Sequence, residues 1–176
     1  MVYRESDVAN QYELIGLVDP LVDDSFLDPV ADNLASSYKY KVRLEDRCGD
    51  VSTYSTSHKT ILLQSGVATN KSVNLSWTAY EGIAYGTYKI YRSVNNGPFE
   101  LLKSVSSSNL QYNDIDANID TNSYRYYISI ATDNCEVPAS TGKGDNTSKT
   151  PRLNEIRSNL KSIVSLTSES TAPVIS

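Results

Sequence analysis

One histidine, two cysteines and two small groups of aspartates are the residues of this 176-residue chain best suited to do chemistry. Cys/His catalysis needs a thiol and a base within hydrogen-bond reach, and a zinc site draws on the same residue types. His58 stands alone in a polar stretch, and Cys48 and Cys135 lie 87 positions apart, so neither chemistry assembles from them. His58 reads as an exposed or packing residue, and the cysteines as two free thiols at loop bases, or as one whose partner belonged to absent N-terminal strands. Asp19, Asp23, Asp24 and Asp28 form one acidic group, and Asp114, Asp116 and Asp120 another. Calcium takes about six to eight oxygen ligands, and this spacing fits no EF-hand loop, so these residues read as turn-forming acids facing solvent. A glycosidase would need two carboxylates facing each other across a cleft, not scattered over turns. The sequence therefore assigns no catalytic residue, no metal and no cofactor. For binding it offers aromatic side chains. Tyr80, Tyr85, Tyr91 and Tyr127 each combine a flat apolar face with a polar tip, suited to a sugar ring or a protein surface. Tyr91 and Tyr127, together with Lys143 and Asp145 in a long polar loop, are the candidate ligand or partner contacts.

The elements that would position these groups repeat. Val2-Tyr3-Arg4-Glu5 returns as Ile90-Tyr91-Arg92-Ser93, and Phe26-Leu27-Asp28 returns as Tyr112-Asn113-Asp114. Tyr38-Lys39-Tyr40-Lys41-Val42 matches Tyr124-Arg125-Tyr126-Tyr127-Ile128, and Cys48 matches Cys135. The offsets stay between 86 and 88 residues, which points to duplication of a whole folded unit. Within the second copy, Val73, Leu75 and Trp77 alternate with polar residues, as a half-buried strand requires. Asn95-Asn96-Gly97-Pro98 marks a hairpin turn. Tyr124, Tyr126, Ile128 and Ile130 share one strand face, and Tyr38, Tyr40, Val42 and Leu44 share its counterpart. Short strands broken by turn residues predict an all-β, antiparallel sandwich. The one helical candidate spans residues 151–160. Residues 136–157 read as an insertion between the last two strands, and inserted loops on rigid scaffolds are where function often resides. Ser158-Asn159-Leu160-Lys161-Ser162-Ile163 parallels Ser57-His58-Lys59-Thr60-Ile61 as a closing strand.

A formal net charge of −5 and no basic stripe argue against a nucleic-acid partner. No apolar run approaches the roughly 18 residues of a membrane-spanning helix. Met1 opens directly inside a strand, so the chain reads as a piece of something longer, and the absence of a signal peptide says little about compartment.

At Leu75-Ser76-Trp77, Tyr88-Lys89-Ile90-Tyr91-Arg92 and Tyr124-Arg125-Tyr126-Tyr127-Ile128 the chain resembles fibronectin type III domains. The resemblance implies that Trp77 is the core tryptophan of the second strand. It also implies that Tyr38 and Tyr124 are tyrosine corners whose hydroxyls bond upstream backbone. Asp46-Arg47-Cys48-Gly49-Asp50, with Trp77-Thr78-Ala79-Tyr80-Glu81-Gly82, also resembles repeats of large secreted and surface proteins of Bacteroidetes exported by the type IX system. A sorting domain would follow such repeats, and residues 166–176 do not match one, which departs from the pattern. The expected division is a partial fibronectin type III-like domain over 1–59 lacking its first two strands, a fuller one over 60–166, and a Ser/Thr/Pro tail over 167–176. The function expected from this is a non-catalytic spacer or adhesion module at the cell surface or outside the cell, contacting other domains of a larger chain. The alternatives are a carbohydrate- or protein-binding module using exposed tyrosines and the 136–157 loop, and a structural protein of a cytoplasmic or phage assembly. The incomplete first domain is open to strand exchange.

Overall fold

The computed structural model describes residues 1–19, 21–22, 25–132 and 155–165. Among them the chain is all-β and antiparallel, and no helix is long and apolar enough to cross a membrane. In the first half, β1 (Val2–Glu5), β2 (Tyr12–Gly16), β3 (Lys39–Val42) and β4 (His58–Lys59) form one sheet in the order β2-β1-β3-β4. The second half begins with β5 (Leu63–Val67) and β6 (Val73–Trp77), which pair with β9 (Gln111–Asp114) as β5-β6-β9. The opposing sheet is built from β7 (Thr87–Val94), β8 (Glu100–Ser106) and β10 (Tyr124–Ala131). Its far edge carries β11 (Glu155–Arg157) and β12 (Lys161–Ile163), both paired to β10.

Alternation drives the packing of the second half. Val73, Leu75 and Trp77 are buried while Asn74 and Ser76 are exposed, so β6 turns every second residue inward. They meet Tyr88 and Ile90 of β7 and Tyr124, Tyr126, Ile128 and Ile130 of β10 in one continuous core. The turn from β7 to β8 places Asn95 and Asn96 at φ 49° and 62°, with the Gly97 amide donating to the Val94 carbonyl at 2.9 Å. Two consecutive positive φ angles match the right-handed twist of a hairpin, and asparagine tolerates them.

The duplication extends to the register of the ladders. Val2 pairs with Val42 and Arg4 with Tyr40, as Ile90 pairs with Ile128 and Arg92 with Tyr126. Tyr3 faces Leu14 and Arg4 faces Glu13, as Tyr91 faces Leu101 and Arg92 faces Glu100. Even the register shift recurs, between Val2 and Tyr3 in one half and between Ile90 and Tyr91 in the other. Burial does not recur: no described residue before Ile61 is buried. Val42 is 47% exposed where its counterpart Ile128 is 0%, and Leu44 is 69% exposed where Ile130 is 0%.

Two expectations need correction. Residues 155–157 form a strand, not a helix, because Ile156 packs against the core and the segment pairs with Ser129, Ile130 and Ala131. The insertion accordingly ends before β11. Ser158 is also not the counterpart of Ser57. Its amide donates to the Ile128 carbonyl at 2.8 Å and its hydroxyl accepts from the Ile128 amide at 2.9 Å. Ser55 makes the same pair of bonds to Val42, at 2.9 and 3.0 Å.

The two halves join without a spacer. His58 and Lys59 pair with β3, the Lys59 amide donates to the Glu81 carbonyl at 2.8 Å, and two residues later Ile61 is buried in the second core. The Glu81 carboxylate meets Lys39 at 3.0 Å and Lys59 at 3.4 Å, and His58 Nδ1 lies 2.5 Å from the Tyr80 hydroxyl. Gly82 sits beneath this contact at φ 144°, where an added Cβ would come within 2.5 Å of His58 Nδ1 and 2.7 Å of the Tyr80 hydroxyl. Gly82→Ala is therefore expected to cost about 1–3 kcal/mol through backbone strain and displacement of His58. Thermal unfolding checks this, and His58 and Tyr80 resonances should shift while those of β9 stay in place.

Candidate functional site

Because Tyr88 and Ile90 face the core, Tyr91 must face outward, and Tyr127 lies directly across the ladder from it. Their rings stack at 4.7 Å with an interplanar angle of 10°. Phe99 meets Tyr127 edge-on at 4.9 Å, the Arg157 guanidinium lies 4.9 Å from the Tyr127 ring centroid, and Arg125 lies 5.1 Å from that of Phe99. Arg125 is anchored through Nη2, which donates to Ser93 Oγ at 3.1 Å and to the Gly97 carbonyl at 3.3 Å. Arg157 is paired with Glu155. The result is a half-exposed aromatic patch flanked by held cations on the outer sheet face.

The first half carries a related patch at the equivalent place. Tyr3 meets Tyr54 at 5.0 Å, Lys41 Nζ sits 4.1 Å above the Tyr12 ring, and Arg43 lies 4.7 Å from that of Tyr54. Each exposed cation–ring contact is worth about 0.5–1 kcal/mol. Such a face can stack on a planar or ring-shaped apolar group while its cations and hydroxyls hydrogen-bond the rim.

On the opposite, inward face lies an arrangement that the sequence reading missed. Arg92 Nη1 reaches both oxygens of Asp114 at 3.0 and 2.9 Å, and the Tyr126 hydroxyl donates to Asp114 Oδ2 at 2.8 Å. Asp114 is 1% exposed. The same triad stands in the first half, with Arg4 Nη1 and the Tyr40 hydroxyl at 2.7 and 3.0 Å from Asp28 Oδ2. Asp28 and Asp114 thus do not face solvent as turn acids; Asp114 ties β9 to β7 and β10, and Asp28, outside any strand, ties its segment to β1 and β3. Burial, then the hydrogen bond to Asp114, pushes the Tyr126 hydroxyl far above its ordinary value. The same causes raise Tyr40 beside Asp28. The Asp28 carboxyl would rise through burial alone. The Val30 amide, Arg4 and Tyr40 outweigh that and hold it below its ordinary 3.8.

No family model matches this sequence, and no curated protein is similar to it. Function must therefore be argued from this geometry.

Tyr38 and Tyr124 accept hydrogen bonds from the backbone amides of Asp32 and Asn118, both at 3.0 Å, six residues upstream in each case. Trp77 is 5% exposed and meets Tyr88 edge-on at 5.5 Å. Tyr80 and Tyr85 are not available as ligand platforms. Tyr80 is 5% exposed, and Tyr85 packs against the core with its hydroxyl on that of Tyr88. The structure thus joins Tyr91 to Tyr127 and adds Phe99, Arg125 and Arg157 to them. The contact candidates Lys143 and Asp145, the 136–154 part of the loop, and Cys135 lie outside the described residues. Cys48 is an exposed free thiol. Among the described residues no three His, Cys, Asp or Glu side chains converge to hold a metal ion.

The depressed Asp28 carboxyl carries a pH dependence whose sign is fixed. A carboxyl titrating lower in the folded than in the unfolded chain contributes stability that is complete above the unfolded value. That contribution is lost as pH falls through the folded one. As pH falls below about 4 the melting temperature of the wild type should fall more than that of Asp28→Asn. Parallel curves for the two proteins would remove Asp28 as the cause.

Proposed function

We propose that this chain is a non-catalytic structural module, a spacer or adhesion segment of a larger secreted or cell-surface protein. It is built of two fibronectin type III-like units, the first lacking two strands. The observation that carries this reading is the junction. One continuous stretch leaves the first sheet at Lys59 and enters the second core at Ile61, while Glu81 of the second half meets Lys39 and Lys59 of the first. Coupled units without a free linker suit a part whose work is to hold other domains at a set distance. The buried Asp114 and the partly buried Asp28 are engaged in Arg–Asp–Tyr triads, which supports a scaffold over an acid–base site.

Residual dipolar couplings on the full chain test the coupling. One alignment tensor should fit both halves, and Glu81→Ala should loosen them. Two independent tensors in the wild type would sink the spacer reading.

The stacked Tyr91–Tyr127 pair supports a second reading, a carbohydrate- or protein-binding module. A glycan array bound by the wild type and lost in both Tyr91→Ala and Tyr127→Ala would favour it. An empty array leaves protein partners as the class to screen.

A further inference from the structure

The two halves share strand register, Arg–Asp–Tyr triad and tyrosine corner, yet among the described residues only one of them has a covered inner face. In the second half that face lies under β5 and β6, with Leu75 paired to Tyr112 and Val73 paired to Asp114. The counterparts of Tyr112 and Asp114 are Phe26 and Asp28, and residues 26–28 belong to no strand. The inner face itself is a groove of about 690 Å³ lined by Met1, Val2, Phe26, Tyr40, Val42 and Leu44 among others. Leu27, beside it, is 85% exposed. A side chain such as Leu44 gains about 1.5–3 kcal/mol when fully buried, so the uncovered face carries a strong unmet drive toward burial.

We propose that this groove is a docking site for an antiparallel β-hairpin from another polypeptide segment. Its inner strand would alternate apolar and polar residues and pair with residues 26–28. The internal copy supplies the chemistry of the occupant: Val73, Leu75 and Trp77 facing in, with Asn74 and Ser76 facing out. A second copy of the chain laid face to face would cover the apolar side chains but would bring no strand to the ladder position that β6 fills beside β9. The hairpin satisfies both requirements. The inference rests on the duplication alone and not on the extracellular reading proposed above, so either can fail without the other.

The probe is a synthetic peptide of residues 60–78, which is the β5–β6 hairpin itself, added to the full chain while amide exchange is followed at Phe26, Val42 and Leu44. A second arm places residues 60–89 ahead of Val2 in place of Met1, since that stretch leads into Ile90 in the second half; tethering raises the effective concentration into the millimolar range. Exchange at the three amides should slow by about 100-fold, the factor for a site held at about 100 times its Kd. The slowing should vanish in Leu44→Asp, or in Leu44→Ser if the charged variant loses the β1–β3 signals. No slowing in either arm overturns the proposal. So does slowing that appears without peptide and grows with protein concentration, which would assign the face to a second copy.

Discussion

Asp114→Ala should destabilise the second half by about 3–5 kcal/mol, the cost of removing one partner of a buried ion pair. The loss is large because two groups depend on this buried carboxylate. Arg92 reaches both of its oxygens, Tyr126 donates to one of them, and Asp114 itself is 1% exposed. Without it the fully buried Tyr126 phenol is left with no acceptor and carries its full desolvation cost, and the Arg92 guanidinium, 25% exposed, loses its ion-pair partner. Arg92 would keep only its position near the Tyr124 ring, 5.8 Å from the centroid. The first half supplies the internal control. Asp28→Ala removes the same triad from a half in which no described residue is buried: Arg4 at 22% is no more exposed than Arg92 at 25%, but the Asp28 side chain is 9% exposed and Tyr40 is only partly buried where Tyr126 is fully buried. A smaller cost, about 1–3 kcal/mol, is expected there, because water can reach the phenol left behind. Denaturant unfolding followed by the fluorescence of Trp77, the sole tryptophan, reads the second half directly. A loss below about 1 kcal/mol for Asp114→Ala would mean that the triad positions side chains without stabilising the fold.

The triad was present in the sequence in a form that local pattern could not decode. Arg4 and Arg92 recur at one offset and Asp28 and Asp114 at another, yet an aspartate beside a turn residue looks the same whether it faces water or a guanidinium 22 or 24 positions away. Pairing between elements is a property of the assembled sheets, and strand alternation reports only on the face of one strand at a time. The same reason explains Val42 and Leu44. Their shared face with Tyr38 and Tyr40 was legible from period two, but whether that face is covered depends on a second sheet, and periodicity does not report on it. Tyr91 and Tyr127 were legible as outward residues, and their stacking follows from the β7–β10 register. Arg125 shares the outward face of β10 with Tyr127 and was legible with it by period two, whereas Phe99 and Arg157 were not, since they reach the patch from other parts of the chain. The insertion obscured the closing strand. Ser55 and Ser158 make identical bonds to Val42 and Ile128, but they stand 103 positions apart, so an alignment at 86 to 88 cannot match them. The helix expected over 151–160 failed at 155–157, where pairing with β10 outweighs weak local preference.

Ile128→Ala and Val42→Ala form the sharpest comparison the duplication allows, because the two positions share cross-strand neighbour, register and face. Ile128 pairs with Ile90, is 0% exposed, and contacts a core closed by β5 and β6, so its truncation should cost about 2–5 kcal/mol through lost transfer energy and a residual cavity. Val42 pairs with Val2 in the same register but is 47% exposed, so removing its methyl groups leaves no enclosed cavity and should cost less than about 1 kcal/mol. Side-chain volume alone cannot produce that contrast, since a valine and an isoleucine differ by one methylene, worth about 0.8 kcal/mol when buried. What separates the sites is the opposing sheet. Trp77 fluorescence reports Ile128→Ala, and amide exchange across the β1–β3 ladder reports Val42→Ala. Equal costs at the two positions in the isolated chain would mean that the first face is already covered in solution. Equal costs only after residues 60–89 are joined ahead of Val2 would locate the difference in the covering hairpin, and the energy of Val42 would then measure how well that hairpin closes the groove.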